Sequence, residues 1–87
     1  MERMIDAMMR VSGLDRETLL DRRNYPAPDC RAMIYREMVQ EGMSHSVIGR
    51  AFNRNHSSIT CALRHLGDHL TYNAELRDIY SRFTAMI

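Results

Sequence analysis

Apolar residues recur along the chain at helical spacing, and nowhere do they alternate over a run that would build a strand. Met4, Ile5, Met8 and Met9 share one face of a segment from Met1 to Val11, and Gly13 is placed to end it. Asp15 can cap a short helix running through Leu19 and Leu20. The stretch "RRNYPAP" at 22–28 then supplies two prolines and an asparagine, which a helix interior does not accept. Pro28 and Asp29 begin the next helix, with Cys30, Met33, Ile34, Tyr35 and Met38 inward and Gly42 at its end. Ser44 can cap a short helix holding Val47, Ile48, Ala51 and Phe52. Ile59, Ala62, Leu63, Leu66 and Leu70 form one continuous helical stripe, and Asn73 caps a last helix with Leu76, Ile79, Tyr80 and Phe83. The pattern predicts an all-α fold of about six helices in a single domain, residues 1–87.

Between the fourth and fifth runs lies a polar elbow, Asn53-Arg54-Asn55, and the helix after it opens with His56, Ser57 and Ser58. Two short helices joined by a tight turn can form a DNA-binding unit, and its packing demands are specific. A small residue must sit where the second helix crosses the first, and Gly49 fits. A residue able to take positive φ must sit in the turn, and Asn53 is second only to glycine. Apolar anchors for the second helix are Ile59 and Ala62. That helix then presents Asn55, His56, Ser57, Thr60, Cys61 and Arg64 outward. In a helix-turn-helix such residues reach base edges in the major groove: Asn pairs with adenine, Arg with guanine, and Ser or His with a base or phosphate. The plainer reading is a capped hairpin of two helices in a bundle, with Asn55, His56, Ser57 and Ser58 as ordinary surface.

Charge distribution bears on that choice more than net charge, which is only +1. Residues 42–67 contain Arg50, Arg54 and Arg64 and no acid, so nothing there repels a phosphate backbone. All twelve basic residues are Arg, which suits bidentate contacts but also follows from G·C-rich codons. With 45 % hydrophobic residues the chain should be globular, and its eight Met suggest an adaptable core. No apolar run approaches the roughly 18 residues of a membrane helix. Cys30 and Cys61 make no disulfide framework, which points to a reducing cytoplasm.

The residues of the elbow resemble the C-terminal DNA-binding domain of the bacterial chromosomal replication initiator DnaA. That family carries a segment close to I-G-x-x-F-G-G-R-D-H-T-T-V followed by x-H-A-x-x-K-I. Here the matching stretch is Ile48-Gly49-Arg50-Ala51-Phe52-Asn53-Arg54-Asn55-His56-Ser57-Ser58-Ile59, then Cys61-Ala62-Leu63-Arg64-His65-Leu66. "GLDRETLLDRR" resembles the family's stretch ahead of a basic loop, and "PDCRAMIYREMV" the helix after it, so the resemblance spans roughly residues 5–83. It implies a Trp-repressor-like helix-turn-helix fold. Asn55, His56, Ser57 and Ser58 would face the major groove, Arg54 would lie by the backbone or a base, and Arg22 or Arg23 would enter the minor groove. The departures are concrete. The elbow is one residue shorter, Asn55 stands where the family has Asp, and the basic loop is shorter with "NYPAP" in place of its later arginines. No G-x-x-x-x-G-K-[ST] P-loop occurs, so no ATPase is expected, and the starting Met1 points to a stand-alone relative over an excised domain.

Other residues carry two readings each. Arg22 and Arg23 are either a minor-groove or phosphate pair or a solvated loop beside Asp21. Ser44, His45 and Ser46 could hold phosphate at a helix start, though capping by Ser44 alone explains them. Cys61, His65 and His69 line up four apart, but no further metal ligand accompanies them. His56 lacks the partners of a general base, so no enzyme, cofactor or small-molecule substrate is expected. The expectation is a monomer that binds double-stranded DNA with sequence preference in the bacterial nucleoid, in replication-linked or transcriptional regulation. The alternative is a protein-interaction module that kept the fold and lost DNA contact.

Overall fold

The structure, a computed structural model covering residues 1–87, consists of six α-helices and no strand. They are α1 (Glu2–Ser12), α2 (Arg16–Asp21), α3 (Ala27–Gln40), α4 (His45–Ala51), α5 (His56–Tyr72) and α6 (Ala74–Met86). The all-helical expectation and its six segments hold. The caps also fall where the sequence places them. Asp15 accepts from Thr18 N, Ser44 from Val47 N and Asn73 from Leu76 N, each satisfying an amide that the helix itself leaves without a partner. Gly13 and Gly42 leave α1 and α3 at φ +77° and +98°. One boundary differs. α3 begins at Ala27, after a cis Tyr25–Pro26 peptide, and Pro28 falls inside its first turn. A proline is tolerated there because the first-turn amides have no intrahelical acceptor.

α3 is the central strut and touches each of the other five helices. Ala27, Cys30, Ala32, Met33, Ile34, Tyr35 and Met38 are all buried along it, so it is enclosed on more than one side. α5 crosses it through Ile59 and Leu66, and α1 and α6 close the far side with Ile5, Met8, Leu76 and Phe83. These side chains make one continuous core in a body of 29 × 26 × 24 Å. Burial pushes the Cys30 thiol up to about 12, with Asp29 beside it adding to the shift. No helix is long and apolar enough to cross a membrane.

The core sets the angle between α4 and α5. Ile48 and Ile59 are fully buried, one on each helix. Phe52 at the end of α4 meets Tyr35 of α3 edge-to-face, with ring centroids 4.9 Å apart. The turn between the two helices is thereby held against the central strut.

Candidate nucleic-acid interface

The turn is built from three backbone requirements. Gly49 is buried on α4, and a Cβ placed on it would lie 2.5 Å from the carbonyl oxygen of Arg54. Only hydrogen fits there. The same approach is bonded in the other sense, because Arg54 N donates to Gly49 O at 2.7 Å. Asn53 turns the chain between them at φ 56°, a left-handed conformation that Asn accepts better than most residues. Asn55 then caps α5, its Oδ1 accepting from Ser58 N at 2.8 Å. Gly49 thus makes a close backbone contact with the turn, Asn53 takes the positive φ, and Ile59 is fully buried.

His56, Ser57, Ser58, Thr60, Cys61 and Arg64 are exposed on the first turns of α5, beside exposed Asn55. The amides at the start of this helix carry its positive dipole end, and no acid lies within residues 42–67 to oppose it. Arg50 on α4 and Arg64 on α5 are exposed as well. Ser44 is spent as the cap of α4. His45 is half-buried, and its Nδ1 lies 2.8 Å from Thr60 Oγ1, bridging α4 to α5. Thr60 Oγ1 also lies 3.0 Å from His56 O, within its own helix. Arg64 reaches back to Cys61 Sγ at 3.7 Å.

Two expectations are refined by these bonds. The Asn55 carboxamide oxygen is committed to the cap, so the residue retains only its amino group for an outside acceptor and does not offer the bidentate face that adenine takes. Arg54 is half-buried and turned inward: its Nη2 donates to Leu20 O at 2.9 Å, and its Nε is buried with no hydrogen-bond partner. Arg54 therefore ties the elbow to the end of α2 instead of extending to solvent. Arg22 and Arg23 follow directly and are exposed, so the short basic loop is held next to the start of α5.

A second arginine at this junction has no counterpart in the sequence reading. Arg31 of α3 is 6 % exposed, and its Nη1 donates to both Leu19 O and Arg22 O, at 2.8 and 2.7 Å. Burial lowers its affinity for the proton, and the neighbouring Arg54 charge adds to that. It stays charged nonetheless, since guanidinium starts so far above neutrality. The carbonyl oxygens at the end of α2 and of Arg22 are what hold two cations in one place. Nothing local in the sequence marks Arg31, because its partners lie on another helix.

Cys61, His65 and His69 do share a face of α5, and the His65 and His69 rings stack at 6.2 Å. His69 Nδ1 instead pairs with Asp29 Oδ1 of α3 at 2.7 Å. No group of three His, Cys, Asp or Glu side chains is arranged to hold a metal ion. The large exposed hydrophobic side chains are Met1, Tyr25, Val39, Val47, Tyr72 and Met86. In comparisons with known proteins the chain matches no family model, no curated protein and no solved structure.

Proposed function

We propose that the chain is a helix-turn-helix protein that binds double-stranded DNA, with α5 as the recognition helix. The observation that carries this reading is the elbow itself. Gly49 lets the turn at Arg54 pack directly against α4, Asn53 turns the chain at positive φ, and a polar, acid-free helix start is left facing outward. His56, Ser57 and Arg64 are the base-reading candidates, with Asn55 Nδ2 as a single donor. Ser58, Cys61 and the first amides of α5 are available to phosphate and sugar. Arg22 and Arg23 would reach the adjacent backbone or minor groove, held in register by Arg31 and Arg54.

The resemblance to the replication initiator's DNA-binding domain supports the same helix and the same loop, and a Trp-repressor-like arrangement of the helices. With no ATPase motif in these residues, the role is occupancy of, or competition for, DNA sites in replication-linked or transcriptional regulation. Selection from a random pool of duplexes tests the reading. Enrichment of one motif by the native protein, and loss of that motif with His56→Ala, is the expected outcome. A pool that stays unenriched over successive rounds contradicts it.

A further inference from the structure

At the end of α5 remote from the elbow, a cleft of about 440 Å³ opens between that helix and the segment leading into α3. Sixteen residues of helix separate Tyr72 from His56, which is roughly 24 Å at 1.5 Å per residue. Asp68, at the near side of the cleft, lies one helical turn, about 6 Å, beyond Arg64, so the cleft borders the far edge of the proposed DNA-reading face. The cleft is lined by Tyr25, Tyr72, Leu76, Asp29, Asp68, His69 and Asn73. Tyr72 is 88 % exposed, more than any other large hydrophobic side chain in the protein, and Tyr25 is 52 % exposed. Tyr25 is nevertheless fixed in place: its hydroxyl donates to Glu75 Oε1 at 2.5 Å and accepts from Asn73 Nδ2 at 3.2 Å.

The charges around these rings are negative. Asp29 is buried, with His69 as its partner. Glu75 is engaged by the Tyr25 hydroxyl, which it holds above the ordinary tyrosine range. Asp68 is exposed and makes no hydrogen bond and no ion pair with any side chain, so its carboxylate is free. No Arg lines the cleft; the nearest in sequence, Arg77, is occupied by the carbonyls of Leu70 and Thr71. Two aromatic faces and a free carboxylate are the recognised elements of a site for an organic cation. A planar guanidinium satisfies all of them together, since it stacks on a tyrosine ring while donating in pairs to a carboxylate.

We propose that this cleft receives an arginine side chain of a partner protein, its guanidinium held by Asp68 and stacked on Tyr72. The chain then binds DNA with one end of α5 and a basic segment of another protein with the other. An acidic, aromatic site attracts a basic partner and repels phosphate.

The test uses the full chain labelled with ¹⁵N and a short blocked peptide, Gly-Gly-Arg-Gly-Gly, with two analogues carrying citrulline or lysine in place of arginine. Citrulline keeps the shape and loses the charge; lysine keeps the charge and loses the plane. The expected result is saturable amide shifts confined to Asp68, His69, Tyr72 and Asn73 with the arginine peptide. The lysine peptide should shift the same amides more weakly and the citrulline peptide leave them unmoved. Asp68→Asn and Tyr72→Ala change only exposed side chains, so both should keep the native spectrum and melting temperature. Each should weaken the arginine peptide by about tenfold, the ratio that corresponds to 1.4 kcal/mol. DNA affinity should be unchanged in Tyr72→Ala. Equal response to arginine and citrulline, shifts elsewhere on the surface, or no shift at millimolar peptide would each overturn the proposal while leaving the DNA reading standing.

Discussion

Gly49 and Arg54 are in backbone contact across the elbow, with the Arg54 carbonyl oxygen occupying the space that a Cβ on Gly49 would need. The obstacle is backbone, and it is bonded to the same glycine through Arg54 N. It cannot swing aside as a side-chain tip could. Gly49→Ala should therefore lower stability by about 1–3 kcal/mol, the range for overpacking a close contact. In a domain of this size that is a fall in Tm of about 4–8 °C for each kcal/mol, read by circular dichroism. An unchanged Tm would mean that α4 and α5 are not packed this closely.

Asn53 gives the matching test of the turn. Asn53→Gly should be within about 0.5 kcal/mol of the native protein, since glycine takes φ 56° freely. Asn53→Val should cost about 1–2 kcal/mol, because a branched side chain is strained in the left-handed region. Chemical denaturation of the pair separates a backbone requirement from a side-chain one.

Asn55 has two separable roles. Asn55→Ala should lose about 1 kcal/mol of stability with the cap. Asn55→Asp retains an oxygen for Ser58 N and sits well with the helix dipole, so Tm should hold. On DNA, however, it replaces a donor with a charged acceptor, so affinity for the preferred site should fall or its base preference move. Melting and DNA binding measured on the same two variants distinguish the roles.

The two thiols should differ sharply in reactivity. Cys61 is exposed and Cys30 is buried with its thiol pushed up to about 12, so a disulfide reagent should titrate one thiol in the folded chain and both after unfolding. If the exposed face of α5 lies on DNA, a specific duplex should slow the reaction of Cys61. Unaltered reactivity in the presence of saturating duplex would remove Cys61 from the interface.

Stability should fall in acid, with a known sign. Asp15 is held below its ordinary 3.8 by the hydrogen bonds from Thr18, and Glu2 below its ordinary 4.5 by the hydrogen bond and charge of Arg16. Both carboxylates bind protons less readily in the folded state. Their stabilisation is fully present above those ordinary values and is lost as pH falls through the lowered folded-state values. Both groups are exposed, so the effect is modest and screened by salt. Asp15→Asn preserves the cap and should flatten part of this dependence in urea titrations at pH 3 to 7.

How much of this was legible in the chain depends on where each residue's partner lies. Ser44, Asp15 and Asn73 cap amides three residues on, and Gly13, Gly42 and Asn53 answer a local backbone demand, so their residue types announce them. Gly49 was readable because a helix crossing next to a turn needs a small residue at a fixed spacing. Arg54 and Arg31 were not, since Leu20 O is 34 residues from the first and Leu19 O is 12 from the second. The same holds for His69 with Asp29 across 40 residues, and for Tyr25 with Glu75 across 50. Packing brings those pairs together, and no periodicity records it. The commitment of the Asn55 carbonyl was half visible: the sequence marks it as polar at a helix start, but the reader's role and the cap's role call for the same residue type.

The central claim, that α5 reads duplex DNA, is tested most directly by fluorescence anisotropy over a salt series. One labelled duplex carries the recognition box of the resembled initiator family, and the other a scramble of equal composition. The predicted result is tighter binding to the box, with affinity for both duplexes falling as salt rises. Absence of binding to either duplex at low salt would contradict the claim.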